Sequence, residues 1–232
     1  MDAALLDAVR SGDRRALSRA ITLVEEGRDR IDELPPGRVI GITGPPGVGK
    51  STLIAAMIEL VRSRGETIGV LAVDPSSPIT GGALLGDRIR MQAHVDDDGV
   101  YIRSMATRGH LGGLAETTHS AVALMGSAGF DRLVVETVGV GQSEVEVMHL
   151  ADVVVLVVGP SWGDQVQADK AGIVEIADVY VVNKGDRPGV SDVVRALRET
   201  ADSRDARILV TTATTGEGVA EVLAEIDRLI LL

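Results

Sequence analysis

One octapeptide restricts the fold of this chain more than any other segment. Gly44-Pro45-Pro46-Gly47-Val48-Gly49-Lys50-Ser51 matches G-x-x-x-x-G-K-[ST] at every fixed position. A β-branched run, Arg38 to Thr43, precedes it, and Lys50 to Arg64 has the composition of a helix that Gly65 ends. Strand, glycine-rich loop and helix in that order make a phosphate-binding unit, because glycines let successive main-chain N–H groups converge on phosphate oxygens at the positive end of a helix. Lys50 is then placed to bridge the β- and γ-phosphates and the Ser51 hydroxyl to ligate Mg2+, with Pro45, Pro46, Val48 and Thr52 completing the nucleotide-binding stretch.

Lysine usage supports that reading. The chain carries 20 arginines but only three lysines, Lys50, Lys170 and Lys184. A guanidinium does not replace a compact ammonium at a crowded phosphate, so positions that keep lysine are constrained by chemistry. Lys184 stands in Asn183-Lys184-Gly185-Asp186, directly after the apolar run Val179 to Val182. A carboxylate at Asp186 can accept from both N–H donors on the edge of guanine, a pair that adenine lacks, so GTP is expected over ATP. Thr212, Ala213 and Thr214, after the last apolar run, fit the remaining base-contacting loop.

The rest of the chain repeats the strand–helix alternation. Ile68 to Val73, Val100 to Met105, Arg132 to Glu136, Val153 to Val158, Val179 to Val182 and Arg207 to Val210 read as strands. Most are continuously apolar, which implies burial on both faces, as in a parallel sheet covered by helices. Helices are expected over Glu116 to Ser127, Asp164 to Ala177, Val190 to Asp202 and Glu217 to Leu231. Residues 2 to 34 read as helical, with Leu17, Ala20, Ile21 and Val24 on one stripe and Gly27 as a stop, before Pro35-Pro36-Gly37 breaks the chain. The expected class is α/β, a P-loop NTPase whose mostly parallel sheet has helices on both faces. Residues 1–37 form its N-terminal helical extension and 38–232 its G domain.

Composition removes several alternatives. A net charge of −11 argues against a general binder of nucleic acid or anionic membrane. Tyr101, Phe130, Trp162 and Tyr180 are the whole aromatic supply, which leaves no stacking platform for single strands. With no cysteine and four scattered histidines, no thiolate metal site is available. The N-terminal residues resemble neither a signal nor a transit peptide, and Val153 to Val158 is too short to span a bilayer, so a cytoplasmic location is expected.

Acidic residues at strand ends are candidates for organising Mg2+ and the attacking water: Asp74 after Ile68 to Val73, and Glu136 in Glu136-Thr137-Val138-Gly139, whose Gly139 N–H can sense the γ-phosphate. Either acid could instead cap a helix. Asp87 is a third candidate or an ordinary solvated acid. Arg108, in a glycine-rich stretch, is either a donor of charge to the transition state or a surface arginine. Trp162 reads as a loop anchor before a binding hot spot.

In combination, several blocks resemble the MeaB/ArgK/MMAA GTPases. They are Val73-Asp74-Pro75-Ser76-Ser77, Thr80-Gly81-Gly82, Leu85 to Met91, Arg108-Gly109-x-Leu111-Gly112-Gly113, Glu136 to Glu144, and Gly163-Asp164-x-x-Gln167-x-x-Lys170-Ala171-Gly172-Ile173. The likeness runs from about Ala16 to the end and implies a P-loop NTPase of the SIMIBI class. It further implies a chaperone of adenosylcobalamin-dependent acyl-CoA mutases such as methylmalonyl-CoA mutase, in which GTP hydrolysis gates cofactor delivery from an adenosyltransferase and protects or reactivates the mutase. Adenosylcobalamin would be bound by the partner and not by this chain.

Residue by residue, the resemblance makes Lys50 and Ser51 phosphate and Mg2+ contacts, and Asp74, Asp87 and Glu136 the acidic set around Mg2+ and the water. It puts Gln142, Ser143 and Glu144 in a nucleotide-responsive loop, and Asp164, Gln167 and Lys170 in a switch that reports to the mutase. A plain solvated lysine is the other reading of Lys170. Family members continue into a C-terminal helical arm that makes a homodimer. This sequence stops at Leu232, and no dimer is expected by that route. Two other readings share parts of the pattern. A metal-insertion GTPase of the urease or hydrogenase type would need Cys and His ligands, and a non-hydrolysing nucleotide-dependent scaffold would need the acidic set to be structural.

Overall fold

The computed structural model describes residues 1–31, 38–75, 94, 96–107, 114–137, 139, 142–162, 174–200 and 207–231. Seven parallel strands form one sheet: β1 (Val39–Thr43), β2 (Ile68–Pro75), β3 (Val100–Thr107), β4 (Arg132–Thr137), β5 (Val153–Val158), β6 (Val179–Asn183) and β7 (Arg207–Thr211). Their order is β3-β2-β4-β1-β5-β6-β7, which puts β1 at the centre and makes β3 and β7 the edges.

The apolar runs behave as expected of strands buried on both sides. In β5, Val153, Val155 and Val157 join one core while Val154, Leu156 and Val158 join the other. The first core lies under α3 (Lys50–Ser63) and α7 (Val219–Ile230). The second lies under α1 (Ala3–Arg10), α2 (Arg14–Glu25), α4 (Leu114–Ser127), α5 (Gln142–Met148) and α6 (Val190–Thr200). Two polar caps fix where central strands start. Asp152 accepts from the Val39 N–H at 2.6 Å, and Asp178 accepts from the Val154 N–H at 2.7 Å.

Three helical expectations change. The single N-terminal helix is two, because Gly12 takes φ +83° and Asp13 caps α2 by accepting from the N–H groups of Arg15 and Ala16 at 2.8 and 3.0 Å. Gln142 to Glu144, which the resemblance puts in a responsive loop, open helix α5 (Gln142–Met148), whose Val145 and Met148 are buried one turn apart. Of the helix expected over 164–177, residues 164–173 lie outside the described residues and the remaining four, Val174 to Ala177, are not helical. Among the described residues no helix is long and apolar enough to cross a membrane.

Candidate functional site

The loop between β1 and α3 lies at the C-terminal edge of the sheet, where open α/β sheets take their ligands. It is wound tightly through positive φ at Gly44 (+142°), Gly47 (+76°) and Gly49 (+99°). At two of these the requirement for glycine is also steric. A Cβ on Gly44 would stand 1.9 Å from the Val157 carbonyl oxygen, and one on Gly49 would stand 2.4 Å from Asn183 Nδ2. Lys50 opens α3 and is buried, and its Nζ donates to the carbonyl oxygens of Gly44 (2.8 Å) and Pro45 (3.1 Å). The ammonium is thus held inside the loop by two of its main-chain carbonyls.

Ser51, the next residue, is also buried and donates from Oγ to Glu136 Oε1 at 3.0 Å. Glu136 belongs to β4, the neighbour of β1, where Ile42 is its register partner. Two hard oxygens, one from the first turn of α3 and one from the end of β4, therefore converge beside the loop. A hydroxyl ladder continues from there: Thr137 Oγ1 donates to Thr43 Oγ1 at 3.0 Å, and Thr43 Oγ1 donates to the Gly139 carbonyl at 3.0 Å. The Gly139 N–H, expected to face the γ-phosphate, instead donates to the Gly44 carbonyl at 3.3 Å in an isolated bridge between the two loops. The loop's own carbonyl competes for that donor.

The turn after β6 is tied to the same loop. Asn183 is buried and fully engaged. Its Nδ2 donates to Val48 O at 3.0 Å, while its Oδ1 accepts from Thr211 Oγ1 and from the Ala213 N–H, each at 3.1 Å. Lys184 adopts φ +62° and donates from Nζ to Gly47 O at 2.6 Å. Asp186 follows, exposed, and Thr212 and Ala213 are buried beside an exposed Thr214 in the turn after β7. An open cleft of about 470 Å3, lined by Pro46, Gly47, Pro160, Lys184, Arg187 and Pro188, flanks this junction.

The structure therefore brings Gly44 to Ser51, Glu136, Gly139, Asn183, Lys184, Asp186 and the 212–214 turn to one edge of the sheet. The side chains of Asp74, Gln142, Ser143 and Glu144 lie outside the described part, as do Asp87, Arg108, Asp164, Gln167 and Lys170 altogether. Trp162, read as an anchor, is 2% exposed, and its main-chain N–H donates to Gly159 O at 3.0 Å. Sequence reasoning missed Thr43, Thr137 and Thr211. Their signal was weak but present, since each is a hydroxyl residue at the end of an apolar run.

Similarity to known proteins agrees with this geometry. The family model described as "Methylmalonyl Co-A mutase-associated GTPase MeaB" matches residues 17–230. A putative GTPase of Pyrococcus horikoshii is 48% identical over 241 residues, covering 97% of this chain and 76% of that protein. GTPase ArgK of Escherichia coli is 37% identical, covering 92% and 71% respectively. Among solved structures, that of the LAO/AO transport system kinase superposes with a TM-score of 0.75 at 28% identity, covering 99% of this chain and 76% of that one. A phosphate loop after the central strand, the Asn183 to Asp186 turn bound to it, and a family match over nearly the whole length lead to one conclusion: the chain is a GTPase of the MeaB family.

Proposed function

We propose that this GTPase binds GTP with its phosphates in the Gly44–Ser51 loop and its base against Asn183, Lys184, Asp186 and the 212–214 turn, and that hydrolysis gates adenosylcobalamin loading of a cobalamin-dependent acyl-CoA mutase. The observation that carries the nucleotide part is the double tie of Asn183 to Val48 O and Lys184 to Gly47 O, which makes base turn and phosphate loop one rigid unit. The mutase part rests on the family, whose description names a mutase-associated GTPase.

Ser51 Oγ and Glu136 Oε1 are hard oxygens held 3.0 Å apart in a buried setting, a donor set that suits Mg2+. When bound there, the ion would neutralise charge developing on the phosphates. Asp74 and Asp87 are proposed to complete the acidic set. Lys50 holds the phosphates by position and charge, and Glu136 orients the cation or the attacking water. Arg108, Gln142, Ser143, Glu144, Asp164, Gln167 and Lys170 are proposed as the parts that respond to nucleotide and partner. The cobalamin itself belongs to the partner, and an adenosyltransferase is its source.

The test is loading of a cofactor-free mutase, followed by cobalamin absorbance, with the GTPase present and GTP, GDP or a non-hydrolysable GTP analogue added. Gated loading differs between GTP and the analogue. Equal loading with every nucleotide would contradict the chaperone role while leaving GTP binding intact.

A further inference from the structure

Edge strand β3 presents main-chain groups that nothing in the described chain uses. In the parallel ladder with β2, the Ile68 N–H donates to Gly99 O at 2.9 Å, and Ile68 stands opposite Val100. Successive residues of a strand alternate in the side to which their N–H and C=O point, so Tyr101 and Arg103 bond inward to β2 while Val100, Ile102 and Ser104 point away from the sheet. The direction is confirmed at Val100, whose carbonyl accepts from Arg14 Nη2 of α2. Its N–H is also satisfied, by Asp97 O at 3.0 Å. Beyond Val100, the outward N–H and C=O of Ile102 and Ser104 have no partner among the described residues, and both residues are partly exposed.

Helix α2, beside this open edge, carries Arg14, Arg15 and Arg19 in its first two turns, in a chain of net charge −11. Helix α2 packs over the β3 face that carries Tyr101 and Arg103. Ser18 Oγ pairs with the Tyr101 hydroxyl at 3.1 Å, and Arg103 is held by Glu25 and by Thr22 Oγ1 at 3.1 Å. An open cleft of about 430 Å3 separates the first turns of α2 from the start of β3, with Arg14 and Arg15 on its wall. Arg14 is engaged, by Val100 and, at 3.8 Å, by the exposed Asp98. Arg15 and Arg19 are one helical turn apart, exposed, and in no ion pair among the described residues. The acid beside them, Asp13, is occupied in capping α2.

The geometry points to β3 as a docking edge for an extended segment of a partner protein, which adds as an eighth strand beside Ile102 and Ser104. Strand addition draws affinity from main-chain hydrogen bonds and specificity from alternate side chains. Here one set of incoming side chains turns toward α2 and meets Arg15 and Arg19, so it is acidic. The other set lies beside partly exposed Ile102, so it is apolar. The segment recognised is therefore a short acidic–apolar alternation. This surface is independent of the nucleotide site, which lies at the other end of the chain's strands around β1.

The experiment uses the whole protein and an acetylated Thr-Val-Glu-Val-Glu-Val-Thr amide as probe, with amide hydrogen exchange read at single residues. The peptide is expected to slow exchange at Ile102 and Ser104 by at least about tenfold. A version with Lys for Glu, and one N-methylated at alternate residues, should have no such effect. The double variant Arg15→Glu/Arg19→Glu should lose the response at an unchanged melting temperature, because both side chains are exposed. Four results overturn the proposal: no slowing at millimolar peptide, equal slowing by the Lys version, protection of both amides in dilute protein without peptide, or protection that grows with protein concentration. The third would mean that the chain covers its own edge, and the fourth that a second copy does.

Discussion

Lys184 reaches across 137 residues of sequence to donate from Nζ to the main-chain oxygen of Gly47, 2.6 Å away. The residue whose stem is proposed to cover a guanine base therefore also braces the loop proposed to hold its phosphates. Removing the ammonium with Lys184→Met takes away a hydrogen bond that, partly exposed as it is, contributes about 1 kcal/mol. GTP affinity should fall roughly five- to tenfold, a change of that size in free energy. Titration calorimetry measures the affinity, and faster amide exchange at Val48 would identify the loop as the part that loosened.

Asn183 is the buried hub of the same junction, and its amide satisfies three groups on two segments: Val48 in the phosphate loop, and Thr211 and Ala213 at and just after the end of β7. Asn183→Ala leaves those groups buried without their partner, at a cost of about 2–3 kcal/mol. Urea unfolding should show a lower midpoint with an unchanged slope. A variant as stable as the parent would mean that water replaces the amide, and that the hub is not structural.

The two glycines that open the phosphate loop should respond differently to alanine. Gly44→Ala drives a Cβ to 1.9 Å from the Val157 carbonyl, which is backbone that cannot swing aside. Gly47→Ala meets nothing within 4 Å and carries only the strain of φ +76°. The expected losses are more than about 3 kcal/mol for Gly44→Ala and about 1 kcal/mol for Gly47→Ala. Thermal melts of the pair, measured side by side, check the order.

Acid sensitivity has an identifiable source at the far edge of the sheet. The Arg62 guanidinium, bonded to Asp97 at 2.9 Å, holds the Asp97 carboxyl below its ordinary value, aided by the Gly99 N–H. A carboxyl depressed in the folded state contributes stability above its unfolded value, near about pH 4, and loses it as pH falls toward the folded value. Asp13, Asp29, Asp131 and Glu225 are shifted the same way, by main-chain N–H groups, the N-terminal ammonium, Thr67 and Arg228 respectively. Asp97→Asn should therefore flatten the fall in melting temperature below about pH 4 and leave its shape near neutrality unchanged.

Much of this molecule was legible in the sequence because its main features are local. The loop Gly44 to Ser51 is spelled out by glycines that positive φ demands, and β5 by six apolar residues that two cores share. What was not legible depends on pairing between distant segments. Nothing in Glu136-Thr137-Val138-Gly139 says that the Gly139 N–H bonds to Gly44 O, since that follows from β4 lying beside β1. The register also decides that Ser51 meets Glu136. Helix α5 was hidden for a different reason: it is seven residues long, and only Val145, Val147 and Met148 mark its buried side.

The proposed service of this phosphate loop to a cobalamin-dependent mutase is open to a direct test. The measurement is the steady-state rate of GTP hydrolysis while purified acyl-CoA mutase is titrated in, with Glu136→Gln run in parallel. A slow rate is expected for the GTPase alone, with saturable acceleration of about tenfold or more by the mutase and little of either in Glu136→Gln. An unchanged rate across every cobalamin-dependent mutase tried, in protein that binds GTP tightly, would contradict the proposed service.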